Sequence, residues 1–401
     1  MIKIQIPEPV RMIIEQLNIH GFEAYAVGGC VRDSFLGRLP KDWDITTSAK
    51  PEHMKEIFPK TVDTGIQHGT VTVIMGHEGY EVTTYRIDGE YEDGRHPKTV
   101  EFTASLLEDL KRRDFTINAM AYSGKDELVD EFGGIKDLES GIIRCVGNPL
   151  DRFTEDALRI LRAIRFSAQL GFQIEEETEN AIAVIAKNLK NVSKERIQVE
   201  LTKLLLSDHP ARVRLVFENG IATYLTEHFL HTETGLLQIE KLNRLPDKKH
   251  MRWSGFLRFL SEREAVTILR ELRLDNDTID QVGTLVRLWK TEIPADKSAI
   301  RKVMSGLPLN LFYDLLCIQK LYLFDGYQKQ LKQVELYVEE IIRSGDCIRL
   351  KDMAVSGRDL IAAGIKPGPR MGEVLQVLFD EVLKNPDNNN REYLLKIINL
   401  K

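Results

Sequence analysis

Residues 28–46, GGCVRDSFLGRLPKDWDIT, hold the densest chemistry in this chain. Asp42 and Asp44 stand two apart, a spacing that puts both carboxylates on one face of a strand. Paired carboxylate oxygens suit a hard cation such as Mg²⁺, which prefers carboxylate and phosphate oxygens. The Gly28-Gly29 turn upstream lets backbone N–H groups approach a triphosphate with no Cβ in the way. Arg32 follows as a phosphate clamp. The set suits two-metal phosphoryl transfer, in which ions ~3.5–4 Å apart stabilise the attacking and leaving oxygens. A third carboxylate should come from a neighbouring strand, and Glu81 at the start of EVTTYR is expected to supply it.

The surrounding pattern supplies a scaffold for these groups. EAYAVGG reads as a strand entering a turn, CVRDSFLG as a helix ending near Gly37, and DWDITT as a strand. PEHMKEIF places Pro at a helix start. GTVTVIM, YEVTTYR and KTVEFT are β-branched, alternating runs. The segment RIDGEYEDGRHPK between them is rich in Gly, Asp and charge and reads as a mobile loop. Strand signals stop after VGNP. Leu158, Leu161, Ile164 and Phe166 then recur at helical spacing up to a closing Gly171. Nearly every later segment reads as helix. The fold class expected is α+β: a head over residues 1–150 with a small mixed β-sheet, followed by an all-helical remainder.

With 401 residues the chain is too long for one core. Its 43% hydrophobic and 29% charged content is that of a soluble globular protein, and no run reaches the ~20 apolar residues of a membrane span. The N-terminus reads as a lead-in and an amphipathic helix rather than a signal peptide. Cys30, Cys145, Cys317 and Cys347 are scattered without a CxxC pair, as for buried thiols in a reducing cytoplasm. A net charge of −6 argues against non-specific nucleic-acid binding over the whole surface, but acidic and basic clusters are separate enough to leave one basic face.

Four motifs occur in order: GG-x-VRD with DxD, EDLKRRDFTINAMAY, FGGIKDLESGIIRCVGNP and RFTEDALRILRAIRFSAQLGF. Through them the chain closely resembles the bacterial tRNA nucleotidyltransferases, the CCA-adding enzymes of the class II nucleotidyltransferases. The resemblance is dense over residues 20–200 and diffuse beyond. It implies a nucleotidyltransferase head (1–150), a helical neck (151–206) and a helical, tRNA-binding body and tail (207–401). It also implies an activity: template-independent addition of CCA to tRNA 3′ ends from CTP and ATP, with Mg²⁺ held by Asp42 and Asp44. Gly29, Arg32 and Arg113 would contact the nucleotide, Asp156 and Arg159 would read the base, and Arg162 and Arg165 would line the same pocket.

The residue pattern agrees. On a continuous helix Asp156 and Arg159 share a face, and Arg162 and Arg165 extend that stripe without acidic partners, as a row awaiting an anion would. Cytosine and adenine both present an exocyclic amine beside a ring-nitrogen acceptor, whereas uracil and guanine present a carbonyl beside an N–H. An Asp acceptor with an Arg donor therefore favours CTP and ATP by ~1–3 kcal/mol per good contact. Changing from C to A then needs a change of pocket shape, for which the loop carrying Asp93, Arg95 and His96 is the mobile element. In the family the chain resembles, branches that add only CC have a shortened loop here, so a loop of full length implies A addition as well. His68 reads as a turn or packing residue. Lys248, Lys249, Arg252, Arg301, Lys302 and Arg370 are basic candidates for meeting tRNA phosphates. An A-adding enzyme and a poly(A) polymerase of the same class are the rival readings. The chain ends without the long basic extension that bacterial poly(A) polymerases tend to carry.

Overall fold

The computed structural model describes residues 4–89, 100–123, 125, 127–231, 236 and 238–398. The chain divides into two compact units: residues 1–243 with 268–274, and residues 244–267 with 275–401.

The first unit opens with α1 (Glu8–Ile19), whose Val10, Ile13, Ile14 and Leu17 form one buried stripe. It packs on β1 (Ala24–Val27), which turns directly into α2 (Gly29–Phe35). Then come β2 (Ile45–Thr47), α3 (Pro51–Ile57), β3 (Thr61–Gly65), β4 (Thr70–Met75) and β5 (Glu78–Thr84). A ribbon of β6 (Arg86–Asp88) and β7 (Val100–Phe102) leads into α4 (Leu106–Lys111), β8 (Ala121–Tyr122) and β9 (Leu128–Val129). Seven strands form one mixed sheet in the order β3-β4-β5-β2-β1-β8-β9, parallel only between β2 and β5.

Registers set what each face carries. Ala26 pairs with Ile45, and Ile45 with Val82, so these side chains share the buried face toward α1 and α3. The alternate positions Tyr25, Val27, Thr46 and Thr83 share the other face. There Val27, Leu110 of α4 and Ala121 form a small core, and Thr46 Oγ1 donates to Asp109 of α4 at 3.1 Å. The sheet thus presents α4 and the residues after it to the end of β2.

Three details depart from the sequence reading. Asp42 and Asp44 precede β2 instead of lying within it. β1 ends at Val27, whose N–H bonds the Asp44 carbonyl at 3.0 Å, so the residues before Asp44 have no strand to pair with. RIDGEYEDGRHPK does not begin as loop, because Arg86–Asp88 pairs antiparallel with Val100–Phe102. The helical remainder includes one two-residue strand, Gln173–Ile174, held in parallel by Ile142–Ile143.

After α5 (Gly134–Ser140) and that short pair, helices dominate: α6 (Pro149–Glu155), α7 (Leu158–Leu170), α8 (Glu176–Ile185) and α9 (Lys194–Leu205). α7 closes at Gly171 in the left-handed conformation, φ 76°.

The second unit is helical throughout its described residues. Trp253, Phe256, Leu285, Phe312 and Leu315 are buried in it, and Leu360, Leu378, Phe379, Val382 and Leu394 form a further core. Of the six basic residues expected to meet tRNA, Arg252 and Arg301 are buried. Arg301 donates to the Leu383 and Lys384 carbonyls and to Asp346, capping a helix end rather than facing solvent. Lys248 and Lys249 pair with Asp314 and Asp275, whereas Lys302 and Arg370 are exposed. No helix among the described residues is long and apolar enough to cross a membrane.

Candidate active site

The turn after β1 is the foundation. Gly28 has φ 81° and ψ −128°, a conformation that side-chain-bearing residues rarely adopt. A Cβ there would lie 3.1 Å from Arg113 Nη1, so the bare backbone lets the guanidinium rest on the turn. Arg113 is held on one side by Asp109, at 3.4 Å from Nη2. Its buried Nε has no hydrogen-bond partner among the described residues, which leaves a donor looking for an acceptor. Gly29 opens α2, and Arg32 on that helix is buried. Its Nη1 donates to Asn118 Oδ1 at 2.6 Å and its Nε to Asp33 at 2.9 Å.

Asp44 meets this group at the tip of β2. It is open to solvent on one side but crowded by protein on the others, and that crowding raises its carboxyl pKa. The Arg113 guanidinium pulls the value back, and Asp42 pushes it up again. Asp42 and Asp44 are therefore electrostatic neighbours with Arg113 beside them. Glu81 is one residue before the Ile45–Val82 pair on the adjacent strand, the row on which Asp44 also stands, and it is exposed. Among the described residues no three acidic, His or Cys side chains converge as a cation would require, so Glu81 is in the right row but not drawn in. His68 lies in a short turn, and its backbone carbonyl accepts from Arg86 at 2.7 Å.

Asp156 and Arg159 are not on one continuous helix. α6 ends at Glu155 and α7 starts at Leu158, with Asp156 extended between them at φ −145°. The reason is local: Asp156 Oδ1 accepts the Leu158 N–H at 3.0 Å, so the residue caps the next helix instead of continuing the last. Its Oδ2 accepts from Arg196 at 2.6 Å. Arg159 is held apart from it, donating to Glu155, to the Arg152 carbonyl and to the Arg112 carbonyl at 3.1 Å. The last bond ties α7 to the segment that carries Arg113.

The arginine row is not unneutralised either. Arg162 meets Asp114 at 2.5 Å, and Arg165 meets Glu200 at 2.5 Å. Both carboxylates come from elements remote in sequence, which local spacing does not reveal. Arg165 is buried and stacks 3.9 Å from the Phe166 ring centre. Arg32 and Arg162 also stand over that ring, at 5.1 and 5.5 Å. Asn118 links the two halves: it accepts from Arg32 and donates to Asp114 at 3.1 Å. Asp109, Asp114, Asn118, Glu155, Arg196 and Glu200 were not foreseen as site residues. Asp109, Asp114 and Asn118 lie within the EDLKRRDFTINAMAY motif and Glu155 within RFTEDALRILRAIRFSAQLGF, whereas Arg196 and Glu200 lie outside every motif quoted above. Asp93, Arg95 and His96 lie outside the described residues.

Asp114 offers a stability test. Burial alone would raise its carboxyl pKa, but the Arg162 guanidinium and the Asn118 amide hold it at about 2, against an ordinary 3.8. A depressed value stabilises the fold above pH ~4 and is lost as pH falls toward 2. Asp114→Asn is expected to cost about 2 kcal/mol at pH 6. That gap should narrow steadily below pH 4 in urea titrations of both proteins.

Comparison with known proteins gives consistent matches along the chain. A family model described as the Poly A polymerase head domain matches residues 24–144. One described as the probable RNA and SrmB-binding site of polymerase A matches 171–231, and one for a putative tRNA nucleotidyltransferase domain 2 matches 246–398. The CCA-adding enzyme of Leuconostoc citreum is 39% identical over 396 residues, covering 96% of this chain and 94% of that protein. The crystal structure of the Bacillus stearothermophilus CCA-adding enzyme in complex with CTP superposes with a TM-score of 0.85 at 32% identity, over 98% of this chain and 99% of that one. The Thermotoga maritima CCA-adding enzyme complexed with tRNA_CCA shares the fold, with a TM-score of 0.65 at 24% identity over 98% and 95%.

Proposed function

This chain belongs to the CCA-adding enzymes, a family of tRNA nucleotidyltransferases, and from that premise we propose that it adds C, C and A to the 3′ end of tRNA from CTP and ATP. At each step the terminal ribose hydroxyl oxygen bonds the α-phosphorus and diphosphate leaves. The observation that carries the reading is the placing of Arg113. It lies against the Gly28 turn, acts on Asp44, and is tied through its neighbour Arg112 to Arg159.

Asp42 and Asp44 supply hard oxygen donors, and their mutual repulsion in a crowded site is what a divalent cation relieves. We assign Mg²⁺ to them, with Glu81 on the neighbouring row as the third carboxylate. When bound, the metal lowers the cost of deprotonating the hydroxyl and of charge on the transferring phosphoryl group. The chain's own residues do the rest. Gly29, Arg32 and Arg113 hold and orient the triphosphate. Asp156 accepts from the base amine, and Arg159 donates to the ring nitrogen. Arg162 positions this wall through Asp114, and Arg165 does so through Glu200. The helical regions receive the tRNA, and the 90–99 segment carrying Asp93 and Arg95 accompanies the change from C to A. The head, neck, and body with tail keep the divisions 1–150, 151–206 and 207–401 in this reading. Four free cysteines, three of them buried, support a cytoplasmic setting.

The deciding experiment supplies tRNAs lacking CCA, CA or A with each nucleotide and Mg²⁺. Full CCA addition to the first, with little UTP or GTP use, is the expected result. Incorporation into the last tRNA alone would establish A addition. Unlimited adenylate tails would establish a poly(A) polymerase.

A further inference from the structure

The base-facing carboxylate is not fixed by its own backbone. Asp156 stands in the gap between α6 and α7, outside either helix. Its cap to Leu158 secures one oxygen and leaves rotation about the side chain to be limited by something else. The other oxygen is taken by Arg196 at 2.6 Å, across 40 residues of sequence. Arg196 belongs to the first turn of α9, and α9 packs along α7. The two bonds approach Asp156 from different elements, so together they determine where its remaining acceptor sites point.

We propose that Arg196 is a positioning residue for base selection. It does so by orienting Asp156 so that an unused carboxylate lone pair faces the exocyclic amine of cytosine or adenine. A carboxylate with one fixed orientation offers only acceptors to the base, which is what separates an amine from a carbonyl. Freed from Arg196, Asp156 swings on its cap, and its acceptors meet the amine only part of the time. Discrimination then falls even though Asp156 is intact. Arg159 has a separate set of anchors, so the loss is confined to the amine contact. The inference rests on the reading of Asp156 as the base-facing acceptor.

The test uses the full-length enzyme, a tRNA lacking CCA, and kcat and KM for CTP, ATP, UTP and GTP. Arg196→Ala is expected to lower the C-to-U ratio of kcat/KM by about 10-fold, the size of one hydrogen bond to a charged group. The KM for CTP should rise more than kcat falls. Arg196→Lys, which keeps one charged donor, should recover most of the ratio. Asp156→Ala combined with Arg196→Ala should be no less selective than Asp156→Ala alone, because both remove the same contact. If Asp156→Ala lowers the ratio and Arg196→Ala leaves it unchanged, the positioning role is wrong while the base-reading assignment stands. If neither changes it, both are wrong. Should Arg196→Ala unfold, Arg196→Met, which keeps an apolar stem and no donor, carries the same comparison. A Met variant as selective as the native enzyme would overturn the proposal.

Discussion

Asp42→Ala and Asp44→Ala are each expected to lower incorporation of CTP and ATP by ~10³-fold or more, while tRNA binding is retained. Phosphoryl transfer of this kind draws several kcal/mol from cation stabilisation of developing charge, and each ~1.4 kcal/mol is tenfold in rate. The structure gives these carboxylates little alternative employment. Asp44 contributes its carbonyl, not its side chain, to the ladder with Val27, so alanine leaves the strand pairing intact. Removing either charge relieves repulsion within the pair and should not harm the fold. Affinity for RNA rests instead on phosphate contacts from basic surfaces. Single-turnover incorporation and filter binding at one salt concentration separate the two properties. Near-normal turnover in either variant would refute the metal assignment.

The second large effect is on selectivity. Asp156→Ala should reduce the preference for CTP over UTP by roughly 10- to 100-fold, equivalent to ~1–3 kcal/mol for one base contact. The same change removes the cap on α7, costing about 1 kcal/mol of stability. Asp156→Asn separates the two effects, because its amide oxygen can still cap. Its NH₂ can also donate to the uracil carbonyl, so the asparagine variant should accept UTP at least as readily as the alanine variant. Measurement of kcat/KM for all four nucleotides decides. A C-to-U ratio equal to that of the native enzyme would leave Asp156 as a helix cap and nothing more.

Much of the head was legible because its signals are local. Gly28, Pro51 and the alternation of Val71 and Val73 each mark an element through its own neighbours. β3 was not legible: it is an edge strand with Val62, Asp63 and Thr64 all exposed, so only its pairing with β4 identifies it. The same divide runs through the site. Gly29, Arg32, Asp42, Asp44 and Arg113 fall within short motifs and converge in space. The pairings that set how the arginines behave are long-range. Glu200 reaches Arg165 from 35 residues away and Asp114 reaches Arg162 from 48, distances at which helical periodicity carries no information. The break at Asp156 was hidden because a residue that caps a helix also fits the stripe of a continuous one.

The paired arginines bear on how the enzyme behaves between turnovers. Arg32, Arg113, Arg159, Arg162 and Arg165 are each answered by a carboxylate: Asp33, Asp109, Glu155, Asp114 and Glu200. Asp109 is shared with Arg112 and Glu155 with Arg152, and Asp42 and Asp44 stand beside the row, so the wall is dense in fixed N–H donors yet close to neutral as a whole. Such a surface exerts little pull on an anion beyond the ~8 Å screening length of physiological salt. Nucleotide capture therefore depends on fit at contact, and its rate should vary little with ionic strength. The departing diphosphate likewise leaves no strongly attractive well behind it. An enzyme that must clear its by-product before the same RNA end can accept the next nucleotide gains from that restraint.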